Sequence, residues 1–144
     1  MRLAERQDAY LNVTMLLCDS VAEADGKLYI LGGGWSRLNV ADSPVPMGLA
    51  VKIGVPWDQT NRVHMIRAKL MTDDGEHVEI EGEPVEAGGD AEVGRPAGVK
   101  PGTDIDLPLA IQFNGIRLPA GGYRWELEID GELEAVVPFQ VGSR

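Results

Sequence analysis

An all-β, two-sheet antiparallel β-sandwich of about seven to eight strands, immunoglobulin-like or C2-like and essentially without helix, is the fold this sequence predicts. Three observations carry that expectation. Apolar residues recur with a period of two along almost every patterned stretch, as half-buried strands require. The 144 residues include 18 glycines and 9 prolines, more punctuation than a helical chain tolerates. Turn signals separate the patterned stretches at the spacing of a sandwich or barrel. The length suits one domain spanning 1–144 with a single core.

The elements follow in order. Residues 1–9 read as an N-terminal arm with at most a helical turn over 3–9. From Tyr10 to Cys18, Leu11, Val13, Met15 and Leu17 share one face and Asn12 and Thr14 the other. Asp25-Gly26 makes a turn, Leu28 and Ile30 resume the alternation, and Gly32-Gly33-Gly34 ends or bends that strand. Ser43-Pro44-Val45-Pro46 is a breaker. Met47, Leu49, Val51, Ile53 and Val55 then alternate strictly with small or polar residues. Ile66, Ala68 and Leu70 mark the next strand, which Asp73-Asp74-Gly75 turns into a hairpin with Val78 and Ile80. Residues 83–106 are rich in Gly, Pro, Glu and Asp and read as a long acidic loop. Leu107 to Phe113, Tyr123 to Ile129 and Leu133 to Val141 are the closing strands, the last two joined at Asp130-Gly131. Pro138, which has no N–H to give a ladder, predicts an edge position.

Composition excludes some functions. A net charge of -10 leaves little clustered cation to displace counterions from a phosphate backbone, so nucleic acid is not an expected partner, and neither is an anionic membrane surface. No stretch reaches the roughly 18 apolar residues of a membrane span. The charged start, Arg2 to Asp8, lacks the layout of a signal peptide, and the single cysteine, Cys18, suits a reducing compartment; a cytoplasmic protein is expected.

Two segments carry a family resemblance. Leu16-Leu17-Cys18-Asp19-Ser20 through Asp25-Gly26-Lys27-Leu28-Tyr29-Ile30-Leu31-Gly32 is the sharper, and Leu118-Pro119 through Gly122-Tyr123 to Ile129-Asp130-Gly131 is the broader. Together they resemble a bacterial β-sandwich family whose function is unknown. The second is similar to the closing strands of immunoglobulin-like domains. The resemblance implies the sandwich and brings no activity.

Few residues look chemical. The two histidines, His64 and His77, fall in no metal-binding spacing, and His64 lies on the apolar side of its strand with Ile66. No Gly-x-Ser-x-Gly is present. The triple glycine lacks the Gly-Lys-Ser/Thr ending of a phosphate loop and predicts a bulge. Cys18 has no cationic neighbour in sequence and reads as a structural thiol.

Strand parity suggests one candidate site. If strands alternate in direction, residues 19–26, 56–61, 83–106 and 130–131 collect at one end of the sandwich. Asp19, Asp25, Asp104 and Asp106 would meet there as ligands for calcium, in spacings that resemble the loop carboxylates of C2 domains. The opposing explanation is that Asp simply starts turns. Trp35 and Trp57, at strand ends, are candidate partner-binding residues, for a protein or a carbohydrate. Trp125, on the apolar face, belongs to the core. The expected function is a non-catalytic protein-binding or structural module that engages an unidentified protein, or another copy of itself, through an edge strand. A calcium- or carbohydrate-binding sandwich, and a hydrolase using paired loop carboxylates, are the alternatives.

Overall fold

The computed structural model describes residues 11–143. The expected arm at 1–9, and Tyr10, lie outside the described residues. Eleven strands follow: β1 (Asn12–Ala24), β2 (Lys27–Gly33), β3 (Arg37–Leu38), β4 (Val45–Val55), β5 (His64–Thr72), β6 (Glu79–Ile80), β7 (Glu83–Pro84), β8 (Glu86–Ala91), β9 (Ile105–Ile116), β10 (Gly121–Ile129) and β11 (Glu132–Val141). One 3-10 turn, Trp57–Gln59, is the only helical element among the described residues. The strands form a four-stranded sheet ordered β2-β1-β4-β9, a five-stranded sheet ordered β3-β11-β10-β5-β8, and the small β6-β7 hairpin. All pairings are antiparallel except that of β3 with β11.

The two large sheets pack face to face, and the alternation read from sequence decides what lies between them. Leu17, Leu49, Val51, Ile53, Leu70, Trp125, Leu127 and Phe139 are all fully buried in one core. Each such side chain contributes on the order of 1.5–3 kcal/mol by leaving water. Trp125 is the largest. Its ring stacks on Phe113 at 4.8 Å, and its indole N–H points at Met47 Sδ, 3.2 Å away. Tyr123 donates its hydroxyl to the Pro119 carbonyl at 2.7 Å, tying the start of β10 to the chain that enters it, as the tyrosine corner of immunoglobulin-like sandwiches does.

Two-residue turns close three hairpins: Asp25-Gly26, Glu81-Gly82 and Asp130-Gly131, all with positive φ at both residues. Primed turns of this kind match the right-handed twist of the strands they join. Pro138 does sit at an edge for most of its strand, because β3 pairs with β11 only at Gln140 and Val141.

The segment 83–106 is not one loop. β5 opens its ladder against Met71↔His77, and resumes it at Lys69↔Glu86 with β8. Between these, the Val78 N–H donates to the Leu70 carbonyl, while the Leu70 N–H donates to the carbonyl of Val85. Val78 and Val85 therefore share the role of a single residue opposite Leu70, and the β6-β7 hairpin is spliced between them. Strand β8 escaped the sequence reading because Glu86-Ala-Gly-Gly-Asp-Ala offers no large apolar side chain to alternate. Gly88 is needed there: a Cβ would lie 2.6 Å from the Ile66 carbonyl oxygen.

β1 is longer than expected and changes role midway. It pairs with β4 from Asn12 to Cys18 and with β2 from Cys18 to Ala24. Cys18 lies on the outer side of its sheet, opposite in parity to the core residue Leu17. Three residues on, Val21 shares the Cys18 environment, although alternation alone would return it to the core side. The chain thus turns over at Asp19-Ser20, and the β1-β2 hairpin folds across the outside of the sheet as a flap. Val21 and Leu28 of the flap cover Cys18, Ala50 and Ala110 in a second small apolar cluster. Gln112 of β9 latches it, accepting the Val21 N–H at 3.0 Å and donating to the Asp19 carbonyl at 3.1 Å. Gly48 leaves room: a Cβ there would be 2.9 Å from both Gln112 Oε1 and Cys18 Sγ.

Candidate functional site

The parity expectation fails, for a reason visible in the strand order. β2 and β4 both run antiparallel to β1, one on each side, so the connection through β3 carries the chain from one end of the sandwich to the other. The residue 56–61 turn and the Asp25 turn therefore lie at different ends of β1. Asp106 stands opposite Gly54, which also pairs with Asn12 at the start of β1. Asp19 and Asp25 lie beyond the far end of the β1-β4 ladder. The four expected calcium ligands are thus not brought together: Asp104 and Asp106 lie at one end of β1, and Asp19 and Asp25, towards the other, are held apart by the extended run of β1 between them. Asp106 lies 3.6 Å from Lys52 Nζ, and Asp19 packs its carboxylate against the backbone of Gly32. Asp25 holds the first residue of its turn at φ 53°. Among the described residues, no three His, Cys, Asp or Glu side chains converge as metal ligands.

The two candidate tryptophans are half-buried. Trp35 meets Phe139 edge to face at 5.9 Å, with its indole N–H buried and unpartnered. Trp57 is covered by Arg95, whose guanidinium carbon lies 4.0 Å from the ring centroid. The same guanidinium donates to Thr60 Oγ1 at 2.7 Å and to the Trp57 carbonyl at 2.6 Å, fixing the segment after β8 to the turn after β4.

His64 is 2 % exposed and structural. Its Nδ1 lies 2.7 Å from Asp130 Oδ2 and its Nε2 lies 2.8 Å from the Gln59 carbonyl. The ring is thereby held at both nitrogens, between the end of β10 and the turn after β4. Burial pushes the Asp130 carboxyl up, but hydrogen bonds from His64 and the Met65 N–H, with the charges of His64 and Arg62, outweigh it and hold the group below its ordinary value. Burial beside Asp19 pushes the Cys18 thiol up, away from a reactive thiolate.

Two concavities flank β8. A depression of about 770 Å³ lies on the outer face of the five-stranded sheet, where Gly88 and Gly131 contribute no side chain. Its charged walls are already engaged: Arg67 with Glu86 at 3.8 Å, Glu128 with Lys69 at 2.9 Å, and Asp130 with His64. The second is a groove of about 340 Å³ on the flank of the sandwich, where β8 ends one sheet and β9 ends the other. Ile66, Leu109 and Ile111 give it apolar walls, and Ala87, Gly88 and Gly89 keep it open. β9 pairs only with β4, so one side of this twelve-residue strand carries free backbone groups along the groove. Neither Asp19 and Asp25 nor Asp104 and Asp106 line either concavity.

Sequence reasoning missed the groove, because half of it is β8. The signal available was Gly88-Gly89 inside a short run free of proline, a mark of close backbone approach.

Over residues 13–142 the chain matches a family of unknown function, DUF6941. The chain belongs to that family. The match covers every strand but the first residue of β1. No curated protein and no solved structure matches this DUF6941 chain. No helix among its described residues is long and apolar enough to cross a membrane.

Proposed function

We propose that this DUF6941 domain is a non-catalytic protein-binding module that takes an extended segment of a partner protein along β9. The groove beside an open strand edge carries the reading. Strand addition needs unpaired backbone donors and acceptors for affinity, and apolar recesses beside them for alternate side chains. β9 supplies the first, and the Ile66, Leu109 and Ile111 walls supply the second. The glycines opposite fit a partner with small or aliphatic residues at every second position. No comparable constellation of nucleophile, base and oxyanion donors stands in either concavity, and the carboxylates that line them belong to ion pairs or stand at the rim.

The test is a display selection of extended peptides against the full chain, followed by hydrogen exchange with a selected synthetic peptide. The expected footprint is slowed exchange at the β9 amides, together with loss of binding in Ala110→Glu. Peptides that protect other strands, or bind Ala110→Glu unchanged, would overturn the assignment.

A further inference from the structure

The sheet edges differ in how they are protected. Native edges are kept from pairing by proline, charge or irregularity. β9 carries Pro108 ahead of the stretch 109–112 that borders the groove, β11 carries Pro138 along the stretch that β3 leaves open, and β8 carries Glu86, Asp90 and two glycines. β2 carries no such device between Lys27 and Gly32. Leu28-Tyr29-Ile30-Leu31 runs uncharged along an edge that pairs only with β1. Tyr29, Ile30 and Leu31 are 56 %, 41 % and 72 % exposed. Ser20 and Ala22, which pair with Leu31 and Tyr29, are exposed as well, so the outward face of the flap is bare.

We propose that β2 pairs antiparallel with β2 of a second copy of this chain, so that two flaps form one four-stranded sheet across a two-fold axis. The strand is complementary to itself. Centred on Ile30, the pairing sets Ile30 opposite Ile30 and Tyr29 opposite Leu31 of the other copy, the apolar cross-strand contacts that stabilise sheets. Charge selects the same occupant. Two chains of net charge -10 repel where acidic surfaces meet, and residues 27–38 contain no Asp or Glu. Lys27 of each copy arrives opposite Gly33 of the other, beside Gly32, where the Asp19 carboxylate lies. Opposite charges thus meet at both ends of the pairing, while the two lysines stay a strand length apart. An isologous contact of this kind closes at the dimer and does not propagate. It uses a different strand from the peptide groove, so either can fail without the other.

Light scattering on the eluting full chain should give the mass of a dimer, and Tyr29→Lys/Leu31→Lys, which alters only exposed side chains, should give a monomer with unchanged circular dichroism. Ile30→Cys, at the two-fold axis, should form an intermolecular disulfide on mild oxidation, because directly opposed strand residues fall within the Cα separations a disulfide spans. Val136→Cys, equally exposed on β11, should not. A wild-type monomer, a dimer that survives the double lysine variant, or equal cross-linking of the two cysteine variants would each overturn the proposal. The cross-linking comparison decides the question if the lysine variant fails to fold.

Discussion

Replacing Gln112 by alanine should open the flap without unfolding the sandwich. The side chain meets two backbone groups of β1 just beyond the point where β1 leaves β4. The Val21 N–H belongs to a residue only 7 % exposed, so losing its acceptor costs the bond and strands a desolvated donor, roughly 1.5 kcal/mol. The Asp19 carbonyl is exposed and water replaces its donor, which adds about 0.5 kcal/mol. The sum, about 2 kcal/mol, corresponds to an approximately 30-fold increase in the population of the open flap. Cys18 reports it directly, because it is the sole cysteine and lies fully buried beneath Val21 and Leu28. The assay is the rate of thiol labelling under native conditions, read against urea. A local opening gives a faster rate with weak urea dependence, whereas global unfolding carries the full slope of the equilibrium transition. An unchanged labelling rate, or one that rises only with the global slope, would refute the view that Gln112 holds a separately opening flap.

Other outcomes follow from the packing and hydrogen bonds of the sandwich. Trp125→Ala should lower stability by about 3–5 kcal/mol through the cavity left against Phe113 and Met47, read as a shift of the urea midpoint; a shift worth less than 1 kcal/mol would show that the core collapses around the loss. Gly88→Ala should cost about 2 kcal/mol, since the added carbon meets the Ile66 carbonyl, and should speed amide exchange along β8 first. Wild-type exchange there would mean that β8 shifts freely. Asp130 is held below its ordinary value in the fold, so its contribution is present above the ordinary carboxylate range, near pH 4, and is lost as pH falls through the lower folded value. Asp130→Asn should therefore flatten the fall of melting temperature in acid, and an identical acid slope would remove the His64–Asp130 pair from the explanation.

The strands with large side chains on one face were legible because the period of two survives wherever a face is buried. Met47 to Val55 and Tyr123 to Ile129 are read directly from alternation, and the turns at Asp25-Gly26 and Asp130-Gly131 from residues that tolerate positive φ. Glu81-Gly82 adopts the same turn but hides behind a residue type that seldom does. β8 was silent because glycine and alanine carry no periodic signal. The end of the sandwich on which a loop emerges was not legible at all. It depends on β2 and β4 flanking β1 in the same direction, a long-range choice that local alternation does not encode, and the four expected calcium ligands were separated by that choice. Trp35 and Trp57 were placed correctly at strand ends, yet Phe139 and Arg95, distant in sequence, are what each ring meets.

The hairpin spliced into the strand opposite β5 has a consequence for how this domain can vary in length. Val78 lends the N–H and Val85 the carbonyl of one ladder position, and His77 and Glu86 already stand in register on either side. Removing residues 79–85 would leave Val78 facing Leu70 with both groups, and no partner further along would shift. Conversely, any segment whose ends approach as closely as Val78 and Val85 can occupy the same position without disturbing the sheet. The site is a natural graft point: loops of foreign sequence inserted there would project from the sandwich while its ladder closes beneath them.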